Sequence, residues 1–307
     1  MTTMTELNSH GPITDRLKSL PRHRWSLPAL RFLATTAVVF LIVRSYQWWT
    51  RRLPMPPTEI FQGVTYTCFE ATAPECKGLV HLVKVDLSAV EIQLYSTSLD
   101  PEAVSKGYEY RLDWAANVLN REHLAVVINA AMFSSNSGLF QMSGDLARGG
   151  ETIVSDGAVD HVDPNSYLLW FERDLTPHLE FAKPPPDTAL QRAEWGVSGQ
   201  GVALWKGKVG EGDSGHGMNR RTAIAIDASR RLLWLAVFEN ASSAGVARAL
   251  ADQGAQDGLL VDGGHSTAMV LGAEAAKVKP GELIGGSRPV ATFFGVRALP
   301  INLLRMN

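Results

Sequence analysis

The apolar run Leu259-Leu260-Val261 stops on Asp262-Gly263-Gly264, and His265, Ser266 and Thr267 then lead into a second apolar run, Ala268-Met269-Val270. Short runs of this kind read as buried strands. A chain that leaves such a strand on a carboxylate and two glycines must turn where its backbone can approach a ligand or a neighbouring strand closely. A plain turn between two strands would use the same letters, because Asp-Gly and Gly-Gly pairs mark hairpins in proteins of every kind. The polar residues around the glycines favour more than a turn, since they bring a carboxylate, an imidazole and two hydroxyls into one small volume.

The rest of the chain repeats the pattern of strands that end on polar groups. Val80 to Leu87 and Val90 to Tyr95 alternate as a pair of strands, Leu112 to Asn120 reads as a short helix, and Leu124 to Asn129 is a continuous apolar strand with a polar end. Ala223 to Asp227 and Leu232 to Phe238 form a hairpin around Ala228-Ser229-Arg230-Arg231. Ser242 or Ser243 then caps a helix that runs to about Gln253 and stops at Gly254. Three strand ends therefore carry polar groups: Asn129, the pair Glu239-Asn240, and Asp262. Ser134 to Gly157, rich in Ser, Gly and Asp, reads as a long loop, and Pro184-Pro185-Pro186 as another surface connection. With 307 residues, 45% of them hydrophobic and 20% charged, the chain can bury a full core. The expected fold is α/β, of mixed α+β character, as a single domain over residues 63–300 with a largely strand-built core.

The amino terminus departs from this pattern. Residues 1–24 are a basic tail, 25–49 span Trp25 to Trp49 around the apolar run Phe32 to Val43, and 50–62 form a Pro-rich linker. Arg31 and Arg44 can snorkel and the tryptophans can sit at the two interfaces, which makes the segment long enough for a transmembrane signal anchor. A cleaved signal peptide and an amphipathic helix are the other readings. No small-residue cleavage site follows Val43, and basic residues are denser before the span, so the anchor reading keeps the amino terminus cytoplasmic and exports the domain.

Cys68 and Cys76 are the only two cysteines, close in sequence, and in an oxidising compartment they suit a small disulfide loop; two buried thiols are the alternative. A formal net charge of -2 gives no electrostatic footprint for nucleic acid. No dense Asp/Asn loop of the calcium type is present, so no cofactor is expected. Oxygens of Asp262, Glu239 and Asn129 leave a divalent cation open. Oligomeric state is not legible.

Three segments in order, Ile128-Asn129-Ala130-Ala131-Met132-Phe133, Asn219 to Asp227 and Asp262 to Thr267, resemble the signatures of the phosphodiester glycosidase family over roughly Gly63 to Leu299. Where that family has Asn-Gly-Gly this chain has Asn129-Ala130-Ala131, and His265 stands where a third glycine is usual. The resemblance implies an enzyme that removes a sugar from a sugar 1-phosphodiester. Such a bond breaks through an oxocarbenium-like state and leaves a phosphate monoester, so the site wants a carboxylate near the sugar and a guanidinium near the phosphate. Asp262 suits the first role and Arg221 the second. Asn129 can orient a hydroxyl, Glu239 can supply a second carboxylate and His265 a proton. Gly263, Gly264, Ser266, Thr267, Thr222 and Arg288 are expected to bind substrate, with Arg288 behind Arg221 as a phosphate contact. An alternative on the same fold is a non-catalytic glycan-binding or exopolysaccharide-assembly accessory protein; a purely structural envelope anchor is a third.

Overall fold

Along Ala223–Ile226 small and large apolar residues alternate, and Leu232–Phe238 is apolar throughout, so each strand has two faces to bury. The computed structural model describes residues 35–36, 54–71, 73–138, 140–181, 183–199, 201–209, 217–275, 278 and 284–301. The chain divides into two units, Met1–Arg52 and Leu53–Asn307. Of the first, only residues 35–36, which are helical, are described. The expected tail (1–24) and anchor (25–49) otherwise lie outside the described residues, among which no helix is long and apolar enough to cross a membrane.

The described strands are β1 (Met55–Phe61), β2 (Val64–Ala71), β3 (Cys76–Asp86), β4 (Gln93–Ser96), β5 (Tyr110–Arg111), β6 (Val126–Asn129), β7 (Phe133–Ser135), β8 (Leu146–Gly149), β9 (Ile153–Ser155) and β10 (Ala158–Val159). They continue as β11 (Tyr167–Phe171), β12 (Pro177–Glu180), β13 (Trp195–Gly199), β14 (Gly201–Trp205), β15 (Lys208–Val209), β16 (Asn219–Asp227), β17 (Leu232–Ala241), β18 (Asp257–Leu260), β19 (Ala268–Leu271), β20 (Ile284–Gly285) and β21 (Phe293–Arg297). The described helices of the second unit are α1 (Pro101–Ser105), α2 (Ala115–Arg121), α3 (Asp187–Arg192) and α4 (Ser243–Asp252), with a 3-10 turn at Gly264–Ser266.

An eight-stranded sheet runs β1-β2-β3-β17-β16-β18-β14-β15, and a five-stranded sheet runs β20-β19-β6-β21-β4. A second five-stranded sheet, β10-β9-β13-β11-β12, and the small sheet β5-β8-β7 complete the set. The large side chains of the alternating strands, Ile224, Ile226, Leu233, Leu235 and Val237, enter the main core. There they meet Val126, Ile128, Met269 and Phe294 of the first five-stranded sheet. The opposite face, with Ala223, Ala225, Trp234, Ala236 and Phe238, packs against Val246, Ala247 and Leu250 of α4. On the far side α2 packs Val118 and Leu119 against Val127, Val270 and Phe293. Each of these fully buried large side chains contributes about 1.5 to 3 kcal/mol, and covering both apolar faces of each sheet gives the layer order helix, sheet, sheet, helix.

The domain is thus strand-rich and mixed α+β. The α/β expectation is corrected, because every ladder among the described residues is antiparallel, as hairpins with short turns require. Three local expectations also change. Residues 55–61, placed in the Pro-rich linker, are β1, paired antiparallel with β2, and prolines are tolerated there because an edge strand need not donate on its open side. Val90 to Tyr95 does not pair with the strand before it: β4 joins β21 in the facing sheet and sends Leu94 into the core from the other side. Ser134 to Gly157 holds β8 and β9 and the last residues of β7, strands too short and too polar to stand out in the sequence.

The disulfide is corrected as well. Cys68 and Cys76 remain separate buried thiols. Cys68 faces the main core beside Tyr66 and Val83, whereas Cys76 faces α4 beside Val80 and Phe238. They lie on opposite faces of one sheet, which no side chain of that length can bridge. Burial pushes the Cys76 thiol up to about 11, so it is a packed, unreactive group.

Candidate active site

Asn129 closes β6, and Thr222 lies near the start of β16, in the facing sheet. The Thr222 hydroxyl donates to Asn129 Oδ1 at 2.7 Å, the Ala268 N–H donates to the same oxygen at 2.9 Å, and Asn129 Nδ2 donates to the Asp262 carbonyl at 2.6 Å. One buried amide therefore fastens the two sheets and the loop after β18 together. The Asp262 N–H reaches the Ala130 carbonyl at 3.0 Å, and the Val261 N–H reaches the Thr222 carbonyl at 3.1 Å, so the loop is held on both sides.

That grip is possible because Gly263 presses on the neighbouring strand. A Cβ there would come within 3.0 Å of the Arg220 carbonyl oxygen, and Gly264 has φ +62, in the left-handed region. The chain then folds into the 3-10 turn, which buries Ser266 and Thr267 and leaves His265 exposed.

The Asp262 carboxylate meets Arg288, with Nη2 at 3.6 Å from Oδ2. Arg288 also donates to Ser266 Oγ from Nε at 3.1 Å and from Nη2 at 2.6 Å, and its guanidinium carbon stands 5.1 Å above the Phe133 ring. Burial raises the Asp262 pKa; Ser266, Arg288 and the Gly263 N–H, at 2.8 Å from Oδ1, oppose the rise. The result is a half-exposed guanidinium and a largely buried carboxylate, clamped by a serine and stacked on an aromatic ring.

The expected site residues do not all converge here. Asp262, Gly263, Gly264, Ser266 and Arg288 do. Asn129 and Thr222 lie beneath them, buried and bonded to one another, so the expected hydroxyl contact from Asn129 is corrected: Oδ1 already accepts two hydrogen bonds. Thr267 is buried as well. Arg221 lies beside Gly263, and among the described residues its guanidinium donates to the Ala241 carbonyl at 3.3 Å and the Gly217 carbonyl at 3.1 Å. Among the described residues no carboxylate pairs with it. His265 sits at the rim, with Nδ1 at 2.9 Å from Ser287 Oγ.

Glu239 goes elsewhere. It occupies an irregularity in the β17–β3 ladder, and its Oε2 accepts the Leu79 N–H at 2.9 Å. Because β3 flanks β17 on the side away from β16 and β18, this carboxylate turns from Asp262 and serves the sheet. The second carboxylate within electrostatic reach of Asp262 is Glu151, which sequence reasoning had placed in a loop. Its signal was there: Gly149-Gly150-Glu151 runs into the apolar Ile153-Val154, a mirror of the strand that runs into Asp262-Gly263-Gly264. A separate cavity of about 460 Å3, bounded by Tyr95, Asp113 and Arg121 among others, contains none of these residues.

The class defined here is a strand-built α+β domain whose site is a carboxylate facing a guanidinium where two antiparallel sheets meet. A family model described as phosphodiester glycosidase matches residues 122–297, more than half of the chain, and the chain belongs to that family. Its fold is similar to that of the zebrafish N-acetylglucosamine-1-phosphodiester alpha-N-acetylglucosaminidase catalytic domain, auto-inhibited by its pro-peptide. That match has 15% identity and a TM-score of 0.53, and covers 78% of this chain and 84% of that one. A hypothetical protein from Synechocystis is similar at 15% identity and a TM-score of 0.52, covering 76% of this chain and 62% of that one. No curated protein matches the chain significantly.

Proposed function

We propose that the chain is a hydrolase that cleaves a sugar from a sugar 1-phosphodiester. The observation that carries this reading is the Asp262 carboxylate, 3.6 Å from Arg288 on the Gly263-Gly264 loop, in a member of the phosphodiester glycosidase family. When the bond between the anomeric carbon and the phosphate oxygen breaks, positive charge grows on the sugar and negative charge on the leaving phosphate. Asp262 meets the first. Arg288 and Arg221 meet the second, and Arg221 is suited to it because no carboxylate among the described residues neutralises it.

The sugar class follows from the similar zebrafish enzyme, whose name specifies an N-acetylglucosamine 1-phosphodiester; an N-acetylhexosamine is the first candidate. The setting follows from the sequence. Residues 25–49 form a signal anchor, residues 1–24 stay cytoplasmic, and the domain faces an extracytoplasmic glycan or exopolysaccharide.

The test uses the full-length chain recovered from membranes, where the anchor requires it to be found. It is offered methyl phosphodiesters of N-acetylglucosamine, glucose and mannose 1-phosphate, with sugar and methyl phosphate measured together. Equal release of both products by the wild type, with loss of at least 100-fold in Asp262→Asn, is the expected result. A soluble chain would end the anchor reading; undiminished release by Asp262→Asn would end the proposed role.

A further inference from the structure

Behind Asp262 lies a carboxyl group that the clamp does not use. Glu151 sits between β8 and β9 and is 1% exposed. Its Oε2 accepts the Met132 N–H at 2.8 Å, and its Oε1 is buried without a hydrogen-bond partner among the described residues. Asp262 is held two residues away on the same segment, at the Ala130 carbonyl. Both acids thus hang from Ala130-Ala131-Met132. The approach of Glu151 is fixed by Gly150, whose N–H donates to the Met132 carbonyl at 2.8 Å and whose Cβ, if it had one, would come within 3.0 Å of that oxygen.

A buried carboxyl oxygen left idle is costly, so such groups are usually completed by a ligand or an ordered water. The charged groups around this one are acidic. Asp262 and Asp163 both act on it, and the oxygens of Asp163 are taken by the Asn165 N–H at 3.0 Å and Ser166 Oγ at 2.5 Å. Asp160 accepts the Ile153 N–H at 2.7 Å and is paired with Tyr110 and His161. Arg288 is committed to Ser266 and Asp262. With no cation among the described residues acting on it, Glu151 holds its proton up to about 7, chiefly because of burial.

We infer that Glu151 is a further catalytic residue, the general base for the water that attacks the anomeric carbon. The inference rests on the hydrolase reading above. Glu151 Oε1 takes one proton from the water, and the water oxygen bonds to the anomeric carbon. The bond from that carbon to the phosphate oxygen breaks, its electron pair leaving with the phosphate. Asp262, gripped by Arg288 and Ser266, supplies the negative charge against which the sugar cation develops. Burial holds the Glu151 carboxyl near 7, and a base is most effective when it titrates near the working pH.

The test compares full-length wild type, Glu151→Gln and Glu151→Asp on whichever methyl phosphodiester the wild type cleaves. The expected wild-type kcat/KM falls as the solution is acidified through about 7. Glu151→Gln should lower kcat by roughly 100-fold or more with little change in KM and should lose that acid limb. Azide, which attacks without giving up a proton, should restore its turnover and yield the glycosyl azide. Glu151→Asp should keep the limb at reduced kcat. A Glu151→Gln protein with wild-type kcat, or a folded one that keeps the acid limb and is not rescued by azide, overturns the inference alone. A wild type that cleaves none of the diesters overturns the hydrolase reading and this inference with it.

Discussion

Asn129 connects more of the site than any other side chain, and none of its bonds goes to a charged group. It satisfies the Thr222 hydroxyl, the Ala268 N–H and the Asp262 carbonyl at once, all in a place water does not reach. Replacing it with alanine leaves three polar groups without partners, each worth about 1 to 3 kcal/mol when buried, so Asn129→Ala should cost roughly 2 to 4 kcal/mol after local relaxation. Urea denaturation should show it as a lower midpoint, and an unchanged midpoint would mean that water replaces the amide. The sequence revealed the residue but not its work. A polar end to an apolar strand looks the same whether the side chain faces a ligand or a neighbouring strand, and only the pairing of β6 with β19 and its packing against β16 in the facing sheet decide. The pairing of Arg288 with Asp262 was hidden for the same reason: which guanidinium reaches a carboxylate depends on the path of the chain after β20.

Among the elements, long apolar runs were legible and short ones were not. The β16–β17 hairpin, α4 and the apolar run Leu124 to Asn129 that contains β6 were readable because each run has enough residues to show a period and a stop. In α4 the Ser242 hydroxyl accepts the Gly245 N–H at 3.1 Å, and Gly254 ends the turn at φ +86. β8 and β9, which position Glu151, have four and three residues and are stabilised by partners far along the chain, so no local pattern reveals them. β18 shows what such contacts demand. A Cβ on Gly199 would land on the Leu260 carbonyl oxygen, inside van der Waals contact. Gly199→Ala should therefore push the end of β18, and Asp262 with it, at a cost of about 1 to 3 kcal/mol. Gly217→Ala is the control, since no atom lies within 4 Å of its added methyl. Equal stability and equal diester cleavage in the two variants would show that the strand end yields without strain.

For the whole molecule, the buried Glu151 ties stability to pH. Burial first, then the charges of Asp262 and Asp163, raise its carboxyl from 4.5 to about 7, so folding takes up a proton between those values. The stability contributed by the neutral group is present in full below about 4.5 and is lost as pH rises through about 7. Converted at about 1.4 kcal/mol per pH unit, the loss is of the order of 3 kcal/mol. Glu151→Gln, neutral throughout, should denature at higher urea than the wild type in alkaline solution and at the same urea in acid; coincident curves at both ends would refute the linkage. The bonds that draw the site together also span long stretches of chain, from 93 residues between Asn129 and Thr222 to 161 between Ala131 and Thr292. Closing such loops waits for both ends to exist. A chain broken off before Arg288 would lose the guanidinium that faces Asp262 and also β21, the strand that joins β6 to β4 and carries Phe294 into the main core, so the pocket and that sheet are completed together by the last stretch of the domain.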